Sequence, residues 1–516
     1  MQDKAAFTPP SLLLATIALS LATFMQVLDT TIANVALPTI AGNLGVSSDQ
    51  GTWVITSFAV CNAIALPLTG WFTRRFGQLK LFVGSVTMFT LTSFLCGFAH
   101  SMTELIIFRA LQGFFAGPMF PMCQTLLLVI FPTTKRSMAL ALLSMVTVVA
   151  PIVGPITGGW LTDNYSWPWI FYINVPVGML SVGATWAIFR NRDSARKALP
   201  IDAIGLGLLV VWVSAMQIML DIGKEHDWFQ SPMVVACAVI AVVGLLYFLI
   251  WELGDKHPVV DLRLFKNRNF WAGTLAISVG YGLFFGNVVL LPLWLQQFMG
   301  YTATDAGLVL APVGLLALVL SPVVGKTIHK VDPRRYATAS FIVFGLVMWM
   351  RSRFNTQVDL TTIMIPTIVQ GAAMAGFFIP LMTITLSDIP PEKMPSASGL
   401  SNFVRITAGA VGTSVATTLW ERRATLHHAQ LVEHISLGDG PTAQVVQGLQ
   451  ATGLTLQQAL ARVDQLVNQQ AFMLAANDIF WASSMLFLLL IPLVWLAKGP
   501  KKGQGGGGSE AASAAH

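Results

Sequence analysis

One carboxylic acid stands inside an apolar stretch near the start of the chain. Asp29 lies in Leu28-Asp-Thr-Thr-Ile-Ala-Asn-Val-Ala-Leu-Pro38, part of an apolar segment that begins near Ser11. A carboxylate at the centre of a membrane helix costs about 2.5–3.5 kcal/mol on insertion scales, unless it is protonated, paired or facing water. An acid that alternates between protonated and ionised forms would suit proton transfer across a membrane. The alternative is a structural acid hydrogen-bonded at a helix end.

The composition indicates a membrane protein. Of 516 residues, 54% are hydrophobic and 10% are charged, and the mean hydropathy is +0.68. Soluble domains carry about 25% charged residues. The pI near 9.2 does not indicate nucleic-acid binding, because the basic residues are scattered in short loops between apolar runs. The four cysteines lie in apolar segments without CxxC or His neighbours, so we predict no disulfide, metal site or cofactor.

Runs of about 20 apolar residues predict fourteen membrane-spanning helices. An even number puts both termini on one side of the membrane, and most Lys and Arg residues then fall in the loops and tails of that side. The positive-inside rule makes that side cytoplasmic. We therefore predict an all-α polytopic membrane protein with both termini cytoplasmic and spans near residues 12–34, 52–72, 80–99, 104–130, 136–161, 168–189, 202–220, 231–252, 270–297, 304–326, 335–352, 361–386, 396–420 and 478–497.

The depth of these spans predicts a partner for the acid. Asp29 lies in the outer third of the first span and Arg109 in the outer third of the fourth, so a rise of 1.5 Å per residue puts them at similar depth. An unpaired arginine inside a membrane is costly. We expect Arg109 to interact with ionised Asp29, directly or through water, and to be released when Asp29 is protonated. The alternative is a structural Arg109 held by backbone carbonyls.

The chain also repeats itself. Pro67-Leu-Thr-Gly70, followed by Arg74-Arg75 and Gly77, is echoed by Pro322-Val-Val-Gly325, followed by His329-Lys330 and Asp332, and weaker matches occur in the same order. Parallel repeats of six spans are the plan of major-facilitator transporters. We predict an N-terminal six-helix bundle at residues 1–190, two additional helices at 191–260, a C-terminal six-helix bundle at 261–500 and a flexible Gly-rich tail at 501–516.

Several motifs make this resemblance specific. The stretch 70–77 resembles the loop motif between spans two and three of the major facilitator superfamily, although Arg74 stands where that motif usually carries Asp. Others resemble its span-four motif and the span-five motif of its antiporters. The stretches 28–38 and 167–178 are similar to its fourteen-span drug:proton antiporter family. The motif residues are Gly70, Arg75 and Gly77 in the loop, Arg109, Gln112 and Gly113 in span four, and Pro151, Gly154, Pro155, Gly158 and Gly159 in span five.

The span-five residues have physical consequences of their own. Pro151 and Pro155 each remove a helix hydrogen bond, while the three glycines allow another helix to approach closely. We expect a kinked, tightly packed helix at the interface of the two bundles. The alternative is ordinary helix packing without a role in exchange.

The resemblance implies a proton-coupled antiporter that exports hydrophobic or amphipathic drugs across the bacterial inner membrane. It further implies a tripartite efflux system, in which a periplasmic adaptor links the pump to an outer-membrane channel. The alternative is a narrower exporter of a specific metabolite such as a siderophore or an organic acid. A membrane enzyme or receptor is disfavoured, because the sequence contains no nucleophile elbow, Walker loop or HExxH.

Transporters of this plan bind their substrate near the midplane between the two halves. Methionine and aromatic side chains suit a site that accepts many shapes, although each such residue could instead be packed or lipid-facing. The polar candidates for this site are Asn34, Gln124, Asn287, Gln370 and Arg405, and the apolar candidates are Met25, Phe284, Phe285, Met374, Phe377 and Phe378.

Residues 421–476 form the largest polar segment, which the topology places outside the cell membrane. Leu456, Leu460, Val463 and Val467 recur at helical spacing behind a cap at Thr455 and predict a short amphipathic helix. This helix could dock an extracytoplasmic partner, or it could pack on the rim of the transporter. His427, His428 and His434 have no evident acidic partner in the transport path, so we interpret them as surface residues.

Overall fold

The computed structural model describes residues 9–132, 135–190, 202–255, 258–328, 330–433, 435 and 440–499. Within these ranges the chain is helical and contains no β-strand. The predicted tail 501–516, the residues 191–201 that open the two-helix segment, His329 and His434 lie outside the described residues.

The described chain forms a series of α-helices joined by short connections and three 3₁₀ turns, at Trp228–Gln230, Leu262–Lys266 and Pro391–Lys393. The α-helices are α1 Pro9–Asn43, α2 Ser48–Phe76, α3 Gln78–Gly97, α4 Met102–Ala116, α5 Met119–Ile130, α6 Arg136–Asn164, α7 Trp169–Tyr172, α8 Asn174–Phe189, α9 Ala203–Ile222, α10 Pro232–Gly254, α11 Arg268–Phe298, α12 Ala303–Leu310, α13 Pro312–Thr327, α14 Pro333–Arg351, α15 Leu360–Leu386, α16 Met394–Val432, α17 Gly440–Ala451, α18 Leu456–Leu489 and α19 Ile491–Trp495.

Local signals explain where several helices begin and end. The hydroxyls of Ser47 and Ser101 accept hydrogen bonds from the third amide of α2 and α4, and Thr455 forms a reciprocal capping box with Gln458 at the start of α18. Gly77 separates α2 from α3 with φ 90°, a backbone conformation that side chains disfavour. The loop motif therefore includes a glycine that the turn itself requires.

Eleven helical stretches of the described chain are long and apolar enough to cross a membrane, or twelve if the bent α6 is one span; some of them join two consecutive helices, such as α4 with α5 and α12 with α13. The prediction of an all-α polytopic protein is confirmed. The predicted spans 335–352 and 396–420 are also helical, as α14 and as part of α16. They are less apolar, because α14 contains Arg334, Arg335 and Arg351, and α16 is rich in Gly, Ser and Thr.

Helix packing repeats along the chain. In α1–α8, helix α1 packs along α6 and α2 packs along α4; in α11–α19, α11 packs along α16 and α13 along α15. A Cβ at Gly113 of α4 would overlap the carbonyl oxygen of Phe58 in α2. In the same way, a Cβ at Gly371 of α15 would overlap the carbonyl oxygen of Val313 in α13. These matched close approaches give the sequence repeat a structural counterpart.

The two helix groups meet closely at the end of the bundle that holds Arg74, Arg136, Lys326 and Arg334, here called the basic end. There α2 packs on α16 and α6 packs on α13. A Cβ at Gly70 would overlap Ser396 across this seam, and a Cβ at Gly325 would lie 2.9 Å from the Cβ of Ala141. The contacts close the basic end. Helix α9 packs against α2 and α16, and α10 packs on α9.

The polar segment 421–476 projects as an extension of two membrane helices. Helix α16 continues to Val432, α17 covers Gly440–Ala451, and α18 runs from Leu456 to Leu489 without a break. The predicted short amphipathic helix is therefore the first part of a long helix, and its cap at Thr455 is confirmed. Leu456 and Leu460 are exposed, Val463 is half-buried and Val467 is buried. The apolar stripe is therefore exposed to solvent at its beginning and buried at its end.

Helix α6 is bent by 40° between Arg136–Pro151 and Ile156–Thr162, the position that its prolines predict. The sequence predicted a kinked helix at the interface of the two bundles, and α6 does pack on α13 and α15 of the second group. The close approach at its glycines, however, is made within the first group. Gly154 and Gly158 lie against Thr31 and Ile32 of α1, within the first group, and Gly159 has no neighbour that a Cβ would touch. Contacts of α6 with the second group include Ala141, which faces Gly325 of α13, and Ile156, which faces Gly307 of α12.

The two α6 glycines provide a matched test of this packing. Gly154→Ala should lower the free energy of unfolding by about 1–3 kcal/mol, because its Cβ would overlap Thr31. Gly159→Ala should be neutral or stabilising, since the methyl group meets open space and alanine favours a helix by about 1 kcal/mol. Thermal unfolding of both purified variants measures the difference. Equal melting temperatures would contradict the close α1–α6 contact.

Candidate functional site

The acid of the first helix is held in a buried ion pair. Asp29 of α1 accepts a hydrogen bond from Nη1 of Arg109 in α4 at 2.6 Å, and both side chains are 1% exposed. The contact is direct, without an intervening water. A pair of this kind is stable only if the remaining donors and acceptors are also satisfied.

Surrounding polar groups form hydrogen bonds with most of the remaining donors and acceptors of the ion pair. Oδ1 of Asp29 accepts hydrogen bonds from the amides of Gln112, at 3.0 Å, and Asn174, at 2.7 Å. Nε of Arg109 donates to the carbonyl of Val54 at 3.2 Å, and Nη1 also donates to Oε1 of Gln112 at 2.7 Å. The amide of Asn174 is held in turn by Ser93. Four helices, α1, α3, α4 and α8, therefore contribute side chains to the polar cluster around the acid.

Aromatic rings cover the remaining faces of the cation. The guanidinium carbon of Arg109 lies 4.3 Å from the ring centroid of Phe58 and 5.5 Å from that of Phe171. Such contacts stabilise a desolvated cation by about 2 kcal/mol. The site is thus organised around ionised Asp29. Protonation of Asp29 would remove the negative charge to which Arg109 and the amides of Gln112 and Asn174 donate hydrogen bonds. The arrangement of these groups therefore depends on the charge of Asp29.

A charge-altered counterpart of this site lies in the second helix group. At one constant spacing along the chain, Asp29, Ser93, Arg109, Gln112 and Gly113 correspond to Asn287, Arg351, Thr367, Gln370 and Gly371. Asn287 donates to Ser483 of α18 at 2.9 Å, much as Asp29 is bound by Asn174 of α8. Arg351 donates to Gln370 at 2.7 Å and to Thr367 at 3.2 Å. The counterpart keeps a buried arginine and replaces the acid by an amide.

A cavity of about 260 Å³ lies between the two helix groups. It brings together six of the predicted substrate residues, namely Gln370, Arg405, Phe284, Phe285, Met374 and Phe378. Sequence reasoning missed several other lining residues, among them Tyr281, Phe120, Asn62 and Gln26. Tyr281 and Val288 share the helical spacing of Phe284 and Phe285 in α11, so that periodicity could have identified them.

Five predicted substrate residues lie elsewhere. Met25 and Phe377 are each 1% exposed and belong to the packed core, where Phe377 contacts Phe341 and Phe344. Asn34 is exposed and does not line the cavity. Asn287 lines a separate groove between α11, α16 and α18. Sequence alone does not give the rotation of each helix, so it could not separate these positions from true lining residues.

Gln124, the fifth of these residues, forms hydrogen bonds between the two helix groups. Its carbonyl oxygen accepts hydrogen bonds from the Ser398 hydroxyl and, at 3.2 Å, from the Asn402 amide, and its own amide points at the sulfur of Met382. Gln124 belongs to α5 in the first helix group, and its partners belong to α15 and α16 in the second. Its position is that of a bridge between the groups near the basic end rather than of a cavity wall.

Helix α1 connects the cavity with the acid. Gln26, Val27, Thr30 and Thr31 line the cavity, whereas Asp29 faces the polar cluster on another side of the same helix. The two sites are therefore separate but share one rigid element. A shift of α1 would alter both.

Two histidines of the projection have acidic partners, which lie away from the central cavity. His427 lies 2.8 Å from Asp478, which also binds Arg423, and His428 lies 3.2 Å from Asp464. These partners are close in space but distant along the chain, so the sequence did not reveal them. In the loop motif, Arg75 is exposed at the edge of α2.

The helix arrangement, the central cavity and the buried acid define a multi-pass membrane transporter. The chain matches the family model described as the Major Facilitator Superfamily over residues 19–413, and it belongs to that family. It is 51% identical to the multidrug export protein EmrB of Escherichia coli (strain K12), over 98% of this chain and 99% of that protein.

Two further relatives are informative. The fatty acid resistance protein FarB of Neisseria gonorrhoeae is 47% identical over 95% of this chain and 97% of its own. The solved structure of the human organic anion transporter MFSD10 aligns with a TM-score of 0.62 at 12% identity, over 94% of this chain and all of that one, which shows a shared fold.

The buried ion pair can be tested by a double-mutant cycle. Asp29→Leu and Arg109→Met should each cost about 3–5 kcal/mol of unfolding free energy, because each leaves one charge buried without its partner. The double variant should cost much less than their sum. Thermal unfolding of the purified variants measures these values.

A surface pair serves as the control. Lys224 and Glu421 lie 2.8 Å apart but are 39% and 46% exposed, so removing either should cost less than about 1 kcal/mol. Additive losses at Asp29 and Arg109 would mean that the pair does not couple energetically.

Proposed function

We propose that this protein is a proton-coupled antiporter that exports hydrophobic and amphipathic drugs. The observation that carries the proposal is the buried Asp29–Arg109 pair on a helix whose other face lines the central cavity. The relatives named as multidrug export proteins favour a broad substrate range. They favour it over the narrower exporter of a specific metabolite.

In the proposed cycle a proton from outside neutralises Asp29 after the drug has left. The ion pair with Arg109 is then lost, and α1 shifts relative to α4 and α8. Because Gly154 and Gly158 hold α6 directly against α1, both helices move together. Both line the cavity, α1 through Thr30 and α6 through Pro151, so the shift changes the drug site. Return of the proton to the cytoplasm restores the pair and resets the pump.

The driving force is adequate for uphill export. One proton that enters from a medium one pH unit more acidic supplies about 1.4 kcal/mol. A membrane potential of 100 mV adds about 2.3 kcal/mol per charge. The closed basic end suits a pump that has already moved its drug away from the cytoplasm, if that end faces the cytoplasm.

We further propose the finer architecture that this cycle needs. The protein has fourteen spans, which include α14 and α16, and both termini lie on the cytoplasmic side of the bacterial inner membrane. Residues 1–190 and 261–500 form the two moving bundles, and residues 191–260 contribute the additional pair of helices. The positive charge of the basic end supports this orientation.

The drug is passed onward through a tripartite assembly in this proposal. An apolar drug released into the periplasm could diffuse back, so export is effective only if release is channelled. We propose a periplasmic adaptor of the EmrA type and an outer-membrane channel of the TolC type as partners. The projection at residues 421–476 offers the docking surface, since Leu456 and Leu460 are exposed there at 47% and 38%.

The coupling role of the acid predicts a specific loss. Asp29→Asn should preserve drug binding and abolish proton-driven uphill export, because the amide can accept a hydrogen bond from Arg109 but cannot release a proton. Drug transport in proteoliposomes with an imposed pH gradient measures this. Glu252→Gln is the matched control, because Glu252 is also 1% exposed but lies in α10, away from the cavity. Full export by the Asp29→Asn variant would refute the coupling role.

The docking role predicts a separate loss. Replacing Leu456 and Leu460 by Ser should weaken co-purification of the adaptor and reduce drug resistance in cells, because the exposed apolar stripe is lost. Transport by the purified pump in liposomes should be unchanged, since neither residue lines the cavity. If the adaptor still binds while liposome transport fails, the projection serves the transporter's own gate instead.

A further inference from the structure

An apolar groove of about 450 Å³ runs along α3 on the first helix group, where α2 and α4 form its other walls. We call it the α3 groove. Four phenylalanine rings follow one another along it, with centroids 6.2, 5.9 and 5.7 Å apart, from Phe76 to Phe72, Phe114 and Phe115. At Gly84 of α3 a Cβ would meet no atom within 4 Å, so the groove is open there. Phe76 is 48% exposed, and the described part of the chain leaves this apolar surface uncovered.

Two cations stand at one end of the α3 groove. Arg75 of α2 and Lys80 of α3 line it on either side of the turn at Gly77, and both side chains are exposed. Neither forms a salt bridge or a side-chain hydrogen bond within the described part of the chain. Among the described lining residues there is no Asp or Glu. The groove therefore joins an apolar interior to a mouth with unbalanced positive charge.

The length of the groove matches one leaflet of a membrane. Lys80 and Met88 both line it, and a rise of 1.5 Å per residue puts them about 12 Å apart along α3. Half of the hydrocarbon core of a bilayer is about 15 Å thick. With Lys80 at the level of the lipid headgroups, the aromatic wall lies at the depth of the acyl chains.

A second apolar groove of the same volume lies between α11, α16 and α18, and we call it the α18 groove. Arg423 lines it, but this guanidinium donates to the carboxylate of Asp478, which lines the same groove. An anionic ligand would have to break that ion pair, whereas at the α3 groove it would gain new ones. The two grooves are therefore alike in size and apolar character but differ in charge.

We propose that the α3 groove binds an anionic phospholipid of the leaflet that the basic end faces. Arg75 and Lys80 bind the phosphate through charge-assisted hydrogen bonds, and an acyl chain lies along the phenylalanine rings past Gly84. Each basic residue near an anionic lipid contributes a factor of about five in binding, so the two together predict a preference of about 25-fold over a zwitterionic lipid. The inference goes beyond the proposed function, because lipid binding requires neither proton coupling nor drug export.

Two photoactivatable lipids with the same diazirine-bearing acyl chain, phosphatidylglycerol and phosphatidylcholine, test the proposal. The full chain is placed in phosphatidylcholine nanodiscs with a trace of one probe and irradiated at neutral pH, and mass spectrometry quantifies the labelled peptides. Phosphatidylglycerol should label residues 72–88 and 114–118 about 25-fold more than phosphatidylcholine does. Both probes should label the peptides of the α18 groove about equally. Equal labelling of the α3 groove would overturn the proposal, as would the same phosphatidylglycerol excess at every peptide of the basic end.

Paired substitutions assign the preference to its residues. Arg75→Gln with Lys80→Gln should lower phosphatidylglycerol labelling of the groove to the level of phosphatidylcholine, because only the two charges are lost. Lys326→Gln with Arg335→Gln removes the same charge from exposed positions of the second helix group and should keep the preference. A preference that survives the first pair would show that other groups bind the anion. A preference lost in both pairs would assign it to the net charge of the basic end.

A substitution that fills the groove tests the acyl chain separately. Gly84→Leu should reduce labelling by both probes, because its side chain enters the space that the chain occupies. Gly183→Leu in α8 is the matched control, since a Cβ there also meets no atom within 4 Å but Gly183 does not line the groove. Unchanged labelling in Gly84→Leu would place the lipid outside the groove. The labelling map of the wild-type protein needs no substitution, so a variant that fails to fold leaves the proposal testable.

Discussion

The cost of burying a charge organises this protein. A lone carboxylate or guanidinium in a membrane interior is expensive, and a pair is tolerated only when each remaining donor and acceptor is also satisfied. Asp29 and Arg109 meet this condition through Gln112, Asn174 and the Val54 carbonyl. These partners come from different helices, so the charge state of one carboxyl group bears on how several helices pack.

Close contact between helix backbones extends the effect of the Asp29 charge to neighbouring helices. Gly154 and Gly158 leave no space between α6 and α1, and Gly113 leaves none between α4 and α2. Helices in such contact have few intermediate positions, since overlap costs energy in one direction and a void costs energy in the other. The helix that carries Asp29 therefore moves as part of a unit. That unit includes a wall of the cavity, so the acid and the cavity are linked through α1 without direct contact.

Sequence could predict the features that depend on chain-wide averages or on depth. Apolar runs predicted the helices, the prolines of α6 predicted its bend, and equal depth predicted that Asp29 and Arg109 could meet. Rotation about each helix axis was not predictable, because in a nearly uniformly apolar helix no polar face marks the inside. Phe377 and Phe378 are adjacent in sequence, yet only Phe378 lines the cavity. Likewise, the partners of His427 and Gln124 are distant along the chain and become neighbours only after folding.

The two helix groups share one plan but differ in charge, and that difference bears on mechanism. Where the first group has Asp29, the second has Asn287, which cannot carry a proton at any physiological pH. Where the first group has Ser93, the second has Arg351, which is always charged and binds only neutral partners among the described residues. The first group therefore carries a charge that can change, and the second carries fixed positive charge beside the cavity. The two halves of this repeat therefore differ in whether a proton could neutralise a buried charge, whereas two identical halves would place the same titratable group on both sides.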